Sequence, residues 1–306
     1  MTFVHSAFGL RWRTPFSCPP LSPAPAGDIV DVVVSYGTVP RELPSSRARL
    51  ETWQAACGAF LLDGGERAGR FLVEGGARVT VERAPAADED VICSLLMGAV
   101  FSMVLAQRGM LVLHANAAAC PGGAVVLSGE PGAGKSSTLD ALVRQGWSML
   151  SDDVTALRLG DDGRVYVLPG VPQLRLCDDT VSRLGLDSTG WRRHPLRPAK
   201  AAMPTHPVMA RDPAPLLALH LLEKHPGDEV RVRPLTGWSK FAALQTCLYG
   251  PSLLEDAPGL FTLASAVVRQ AGVFRIERPE ARWTVPEIVD VISSAVSPPL
   301  ARASGR

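Results

Sequence analysis

Gly129-Glu130-Pro131-Gly132-Ala133-Gly134-Lys135-Ser136 is the most informative run in this chain. It fits the pattern GxxxxGK[ST], in which glycines let consecutive backbone N–H groups turn inward around an anion. A helix beginning where the loop ends adds partial positive charge from its unsatisfied N–H groups. In such a loop Lys135 reaches the terminal phosphates and the Ser136 hydroxyl is a ligand for Mg²⁺. Lysine is scarce here, the chain carrying most of its positive charge on arginine, so Lys135 stands out further. Val125-Val126-Leu127 reads as a strand running into the loop, and residues 137–145 place Leu139, Leu142 and Val143 at helical spacing before a stop at Gly146. Strand, loop and helix therefore follow in the order that nucleotide phosphate binding requires. The plainer alternative, a glycine turn with a solvated lysine, explains the loop and leaves its flanks unexplained.

At 306 residues and a net charge of +1, the chain is long enough for one large domain or two moderate ones. Near-neutral charge argues against a general nucleic-acid binder, which needs a surplus of basic groups on one face. Cys18, Cys57, Cys93, Cys120, Cys177 and Cys247 form no CxxC pair, so neither a zinc ribbon nor a disulfide framework is suggested and a reducing cytoplasm fits. The start, Met1-Thr2-Phe3-Val4-His5, lacks a basic stretch followed by a sustained apolar run, which speaks against a secretory signal. Residues 91–106 are uncharged and apolar, but shorter than the roughly 20 residues that a bilayer demands, so a buried helix is expected, capped by Asp88 and no membrane partner.

Residues 15–27 are rich in proline and serine and read as an irregular wrap outside the core. Apolar runs at 29–34, 59–62, 70–73 and 78–81 suggest a small strand-rich module over residues 1–87. Further strands are expected at 111–114, 155–159, 165–168, 216–222, 230–233 and 273–277, with helices at 237–248 and at 286–296, the latter capped by Thr284. Asp161-Asp162-Gly163 reads as a hairpin turn. Residues 179–215 show little periodicity and many arginines and prolines, a long loop whose Arg192, Arg193, Arg197 and Lys200 are candidates for contacting phosphate groups or an acidic peptide.

One helix and one short strand beyond Lys135 stand two adjacent carboxylates, Asp152 and Asp153. Alone, such a pair is most often a turn or a cap. Beside a phosphate loop it can hold Mg²⁺ and accept a proton from an attacking hydroxyl, two tasks that phosphoryl transfer needs.

Leu113-His114-Ala115-Asn116-Ala117, the strand and loop that follow, and Leu150-Ser151-Asp152-Asp153 together resemble the C-terminal kinase domain of HPr kinase/phosphorylase. The similarity is closer to the HPr-kinase-related proteins of bacterial biosynthetic clusters, whose N-terminal part is similar to His5-Ser6-Ala7-Phe8-Gly9-Leu10 and Leu96-Met97-Gly98-Ala99. The resemblance spans most of the chain and is strongest over residues 111–176. It implies an α/β fold with a phosphate-loop kinase domain of HPr kinase/phosphoenolpyruvate carboxykinase type over residues 88–306, preceded by the strand-rich module. It also implies ATP and Mg²⁺ as cofactors and a serine hydroxyl as acceptor, in some related members the C-terminal serine of a lasso-peptide precursor.

Carried over by motif, residues 129–137 hold the triphosphate and Asp152 and Asp153 divide base and metal roles. Asp152 is favoured as base and Asp153, with Ser136, as metal ligand, although coupled neighbouring carboxylates leave the choice open from residues alone. His114 matches a family histidine near the site, and a homo-oligomer is common in the family. Two departures stand out: Ser137 replaces a family glutamate, and no match is found to the C-terminal signature for recognising HPr. The expected partner is therefore another peptide or protein with a phosphorylatable hydroxyl. A small-molecule kinase or carboxykinase-like enzyme, and a nucleotide-binding regulatory protein without transfer activity, are the alternatives.

Overall fold

The computed structural model describes residues 1–24, 27, 29–44, 46, 48–250 and 258–296, and within them the protein is a mixed α/β structure built on several sheets. The first sheet is formed by β1 (Phe3–Ala7), β2 (Leu10–Thr14), β3 (Ser22–Pro23), β4 (Val32–Tyr36), β5 (Ala48–Leu50), β6 (Trp53–Ala56), β7 (Ala59–Asp63), β8 (Gly69–Glu74) and β9 (Arg78–Arg83), in the order β3-β1-β2-β4-β9-β8-β7-β6-β5. Alternation of buried and less buried residues along β8 places Phe71 and Val73 on the core face, as a half-buried strand requires. The run expected at 29–34 pairs from Val32 onward instead, continuing to Tyr36.

Residues 15–24 are not peripheral: Phe16, Cys18 and Leu21 are buried in the same core as Trp12 and Phe71. Proline and serine disrupt regular pairing without preventing the apolar side chains between them from packing. Residues 25 and 26 of that segment lie outside the described residues.

Helix α1 (Glu89–Leu95), a π turn (Leu96–Val100) and α2 (Phe101–Gln107) run on without a break. Asp88 caps the start by accepting from Asp90 N at 2.9 Å, and Glu89 and Asp90 sit where the helix dipole favours negative charge. The combined 19-residue helix is long and apolar enough to span a bilayer by those measures alone, and 67% of its most apolar window is buried inside the protein. It packs on the first sheet, where Phe101 stacks on Trp12 with ring centroids 3.9 Å apart, and shares that core with Val112 and Ala156.

The second sheet contains β10 (Leu111–Leu113), β11 (Ala115–Cys120), β12 (Gly123–Gly129), β13 (Ser148–Ser151), β14 (Thr155–Leu159), β15 (Val165–Val167), β19 (Ala214–His225), β20 (Arg231–Pro234) and β21 (Gly272–Pro279). Between β12 and β13 lies α3 (Lys135–Arg144), packed on α7 (Val285–Val296) through Leu139, Leu142, Ile288 and Ile292. The other face is covered by α5 (Trp238–Thr246) and α6 (Pro258–Gln270), with Leu244, Leu263 and Val267 in its core. Strand β19 lies between β12 and β21 and is parallel to both, and β12 is buried along nearly its whole length, as a parallel strand covered on both faces is. The turn at Asp161-Asp162-Gly163 joins β14 to β15 as expected, Asp162 accepting from Arg164 N.

Residues 179–215 are not a long loop. Strand β16 (Gln173–Cys177) leads into α4 (Asp178–Arg183), and β17 (Arg192–His194) and β18 (Arg197–Pro204) join β16 in a three-stranded sheet. Much of β17 and of the first half of β18 is exposed, so neither needed the apolar alternation by which a strand is read from sequence. Thr284 precedes α7, but its hydroxyl is buried without a hydrogen-bond partner and does not cap the helix.

Candidate functional site

Strand β12 delivers the glycine loop to the ends of the parallel strands, and α3 begins directly after it. Gly129 has φ of 140°, and a Cβ there would lie 2.2 Å from the Leu222 carbonyl oxygen on β19. Gly134, at φ 105°, is the residue from which α3 departs, in a conformation that side chains rarely adopt. Lys135 Nζ donates to Gly129 O at 2.6 Å, lying across its own loop. Arg278, on β21, braces the loop from outside, donating to Ala133 O at 2.7 Å and Gly132 O at 2.8 Å.

At the start of α3 the Ser136 hydroxyl donates to Asp152 Oδ1 at 3.1 Å and accepts from Asn116 Nδ2 at 3.2 Å. Asp152 Oδ2 accepts from Arg175 N at 2.8 Å. Asp153 follows with a left-handed φ of 72°, a conformation that a non-glycine residue holds only where its surroundings enforce it. Those surroundings are visible: its N–H faces Asn116 Oδ1 at 3.4 Å, its Oδ1 lies 3.3 Å from His114 Nδ1 and its Oδ2 3.3 Å from Arg175 Nη1. The turn thus splays two neighbouring carboxylates, one toward the loop helix and one toward His114.

Burial, followed by the neighbouring charge of Asp153, pushes the Asp152 carboxyl up to about 6. Burial also lowers the pKa of His114 and of Lys135, in both cases against the attraction of Asp153. Tyr249 packs edge-on to His114 at 5.8 Å, and burial pushes its phenol up to about 12. All of these groups border one cavity of about 710 Å³.

The described residues contain no group of three or more His, Cys, Asp or Glu side chains able to hold a metal ion. What the site offers is one hydroxyl and one carboxylate in contact, Ser136 and Asp152, hard oxygen donors that suit Mg²⁺ in combination with substrate phosphates. Ser136 touches Asp152, while Asp153, the other expected metal ligand, is turned to His114 and Arg175.

Among the other expected residues, Pro131, Gly132, Gly134, Lys135, Ser136 and Ser137 border the cavity, while Gly129, Glu130 and Ala133 shape the loop through their carbonyls. Ser137 is tied to α4 through Thr180 at 3.1 Å. The four basic residues divide. Arg192 is ion-paired with Asp90 and Arg193 with Asp178, whereas Arg197 and Lys200 reach the cavity.

Asn116, Arg175 and Arg278 were not identified from sequence as site residues. Asn116 alone left a trace, as a polar residue in an alanine-rich strand. Arg175 and Arg278 come from β16 and β21, and nothing local marks them out from the chain's many other arginines.

No family model matches the chain, and no curated protein matches it. Among solved structures, the Hpr(Ser) kinase/phosphatase from Coxiella burnetii is similar at 14% sequence identity and a TM-score of 0.33, over 60% of this chain and 94% of that one.

Proposed function

We propose that this protein is an ATP-dependent kinase that phosphorylates a serine or threonine hydroxyl of a peptide or protein. The observation that carries the reading is the contact of Ser136 with Asp152 at the mouth of the glycine loop, with Asp153 beside it and Lys135 in the same cavity. Loop N–H groups and Lys135 suit a triphosphate, and Arg278 holds the loop in shape from behind. Ser136 and Asp152 would hold Mg²⁺, which would supply charge neutralisation at the transferring phosphoryl group.

Asp153, oriented by His114 and Arg175, takes the proton of the acceptor hydroxyl. The acceptor oxygen bonds to the γ-phosphorus as the bond from phosphorus to the bridging oxygen breaks, and ADP leaves with that electron pair. The base and metal roles are thereby exchanged relative to the expectation from sequence. A C-terminal serine, as in a lasso-peptide precursor, is the acceptor that the resemblance favours. A cytoplasmic setting, a homo-oligomer and a substrate-holding role for residues 1–87 complete the proposal.

The test is incubation with Mg-ATP and serine-containing peptides, some ending in serine, read as phosphate mass increments and localised by fragmentation. Increments on peptide serine support the reading. Phosphorylation of a metabolite with none on any peptide shifts the acceptor class. Asp153→Asn protein that binds ATP and retains the wild-type phosphorylation rate removes the proposed base.

A further inference from the structure

The hairpin of β17 and β18 places cations at the cavity in an uneven way. Arg192 and Arg193 face outward into ion pairs with Asp90 at the start of α1 and Asp178 at the start of α4. These pairs join the hairpin to two helices. Arg197 opens β18 opposite His194, and Lys200 sits further along it opposite Cys177. Both border the cavity, and neither side chain has an ion pair or hydrogen bond within the described residues.

Of the other cations at the cavity, Arg175 is ion-paired with Asp153 and Arg282 with Glu287, Lys135 and Arg278 donate to carbonyls of the glycine loop, and Arg183 lies over the Trp283 ring. Arg197 and Lys200 are thus the two cations of the cavity whose side chains engage no group among the described residues. The Arg197 charge is felt at His114, His194 and Tyr249, the groups around Asp153, and the Lys200 charge at His194 and at Lys135. His194 is held neutral there, its pKa pushed down to about 4 by burial and by Arg175 and Arg197, so it adds no competing charge.

We infer that Arg197 and Lys200 form an anion subsite for the acceptor, which carries a carboxylate or a phosphate close to the hydroxyl that is phosphorylated. This rests on the phosphoryl-transfer reading. Guanidinium and ammonium groups that reach a cavity unpaired suit such an anion, arginine by a two-pronged bond and lysine as a point charge. The unreacting anion then anchors the acceptor with its hydroxyl near Asp153, binding energy used for positioning.

The experiment measures binding to the wild-type protein loaded with Mg²⁺ and the non-hydrolysable imido analogue of ATP. The probes are the tripeptide Ala-Ala-Ser as free acid, its C-terminal amide, and glycerol 1-phosphate, which keeps free hydroxyls beside its phosphate. The free acid is expected to bind and the amide not, which assigns the subsite to a carboxylate; binding of glycerol 1-phosphate alone assigns it to a phosphate. Arg197→Ala and Lys200→Ala variants are each expected to weaken the anionic probe about tenfold or more, with nucleotide affinity kept within about twofold. Arg197→Lys should recover part of the loss.

The inference is overturned if the nucleotide binds but no anionic probe does. Equal binding of amide and free acid without a phosphate preference, or undiminished probe binding in the variants, also overturns it. Failure of the wild-type protein to bind nucleotide at all instead defeats the kinase reading beneath it.

Discussion

The two walls of the cavity are built on opposite principles. On the loop wall the groups touch one another: Lys135 lies on Gly129, Ser136 meets Asp152, Asp153 sits between His114 and Arg175, and Arg278 holds the loop carbonyls. On the hairpin wall the structural cations Arg192 and Arg193 are paired outward, and Arg197 and Lys200 reach inward without partners among the described residues. A wall of mutually satisfied groups is pre-organised, so little rearrangement is needed when charge develops there. A wall with unsatisfied charge is completed by what binds to it.

The largest expected effect lies on the loop wall. Lys135→Ala and Asp153→Asn should each lower phosphoryl transfer by about a thousandfold, measured in single turnover on protein whose circular dichroism matches wild type. Transfer retained at about a tenth of wild type in either variant would break the comparison, because the loop wall would then not be the chemical one.

Asp152 offers a second contrast, between stability and chemistry. Its folded pKa of about 6 lies above the ordinary value of 3.8, so the folded state keeps a proton that the unfolded state releases. The contribution is most favourable below 3.8 and is lost as pH rises through about 6, opposite in sign to a salt-bridged carboxylate. Asp152→Asn should therefore stabilise the Mg²⁺-free protein at pH 7.5 by on the order of 1–3 kcal/mol, with the gain fading toward pH 4, while impairing transfer. Urea unfolding at the two pH values reads this directly, and an unchanged or destabilised variant at neutral pH would contradict it.

Arg278→Ala sharpens the division of labour. Among the described residues its guanidinium donates to the loop carbonyls and the Pro279 carbonyl, so nucleotide affinity should fall about tenfold with acceptor affinity unchanged, the reverse of the Arg197→Ala pattern. Titration of both ligands against both variants gives four values, and any crossover between walls shows that the two are coupled.

The smallest effects are expected for Arg192→Ala and Arg193→Ala. Both side chains are about half exposed, at 50% and 51%, and exposed ion pairs contribute little. Each should cost less than about 1 kcal/mol in chemical denaturation. A large loss of acceptor affinity in either would show that the hairpin's position depends on these struts more than their exposure implies.

Legibility followed the range of the forces involved. The strand, glycine loop and α3 were readable because their requirements are local: positive φ at Gly129 and Gly134, apolar residues at helical spacing, a glycine stop at Gly146. Asp88 was readable as a cap for the same reason, its partner being two residues away. Strands β17 and β18 were not, since Arg192 and Arg193 tolerate exposure and the first half of β18 is exposed too, leaving no period to detect, whereas β16 carries an alternation at Leu174 and Leu176 that went unread. Phe16 and Leu21 were lost among prolines although both are buried.

By itself the sequence determined the glycine loop, the helix that follows it and the adjacency of Asp152 and Asp153, because each rests on neighbours along the chain. Only the tertiary structure decided which carboxylate meets Ser136 and which meets His114, since that choice depends on a left-handed turn at Asp153 held by Asn116 and Arg175 from two other strands. It also decided which hairpin cations are struts and which face the cavity. That distinction rests on Asp90 and Asp178, remote in sequence, and a charge's partner is a property of three-dimensional proximity.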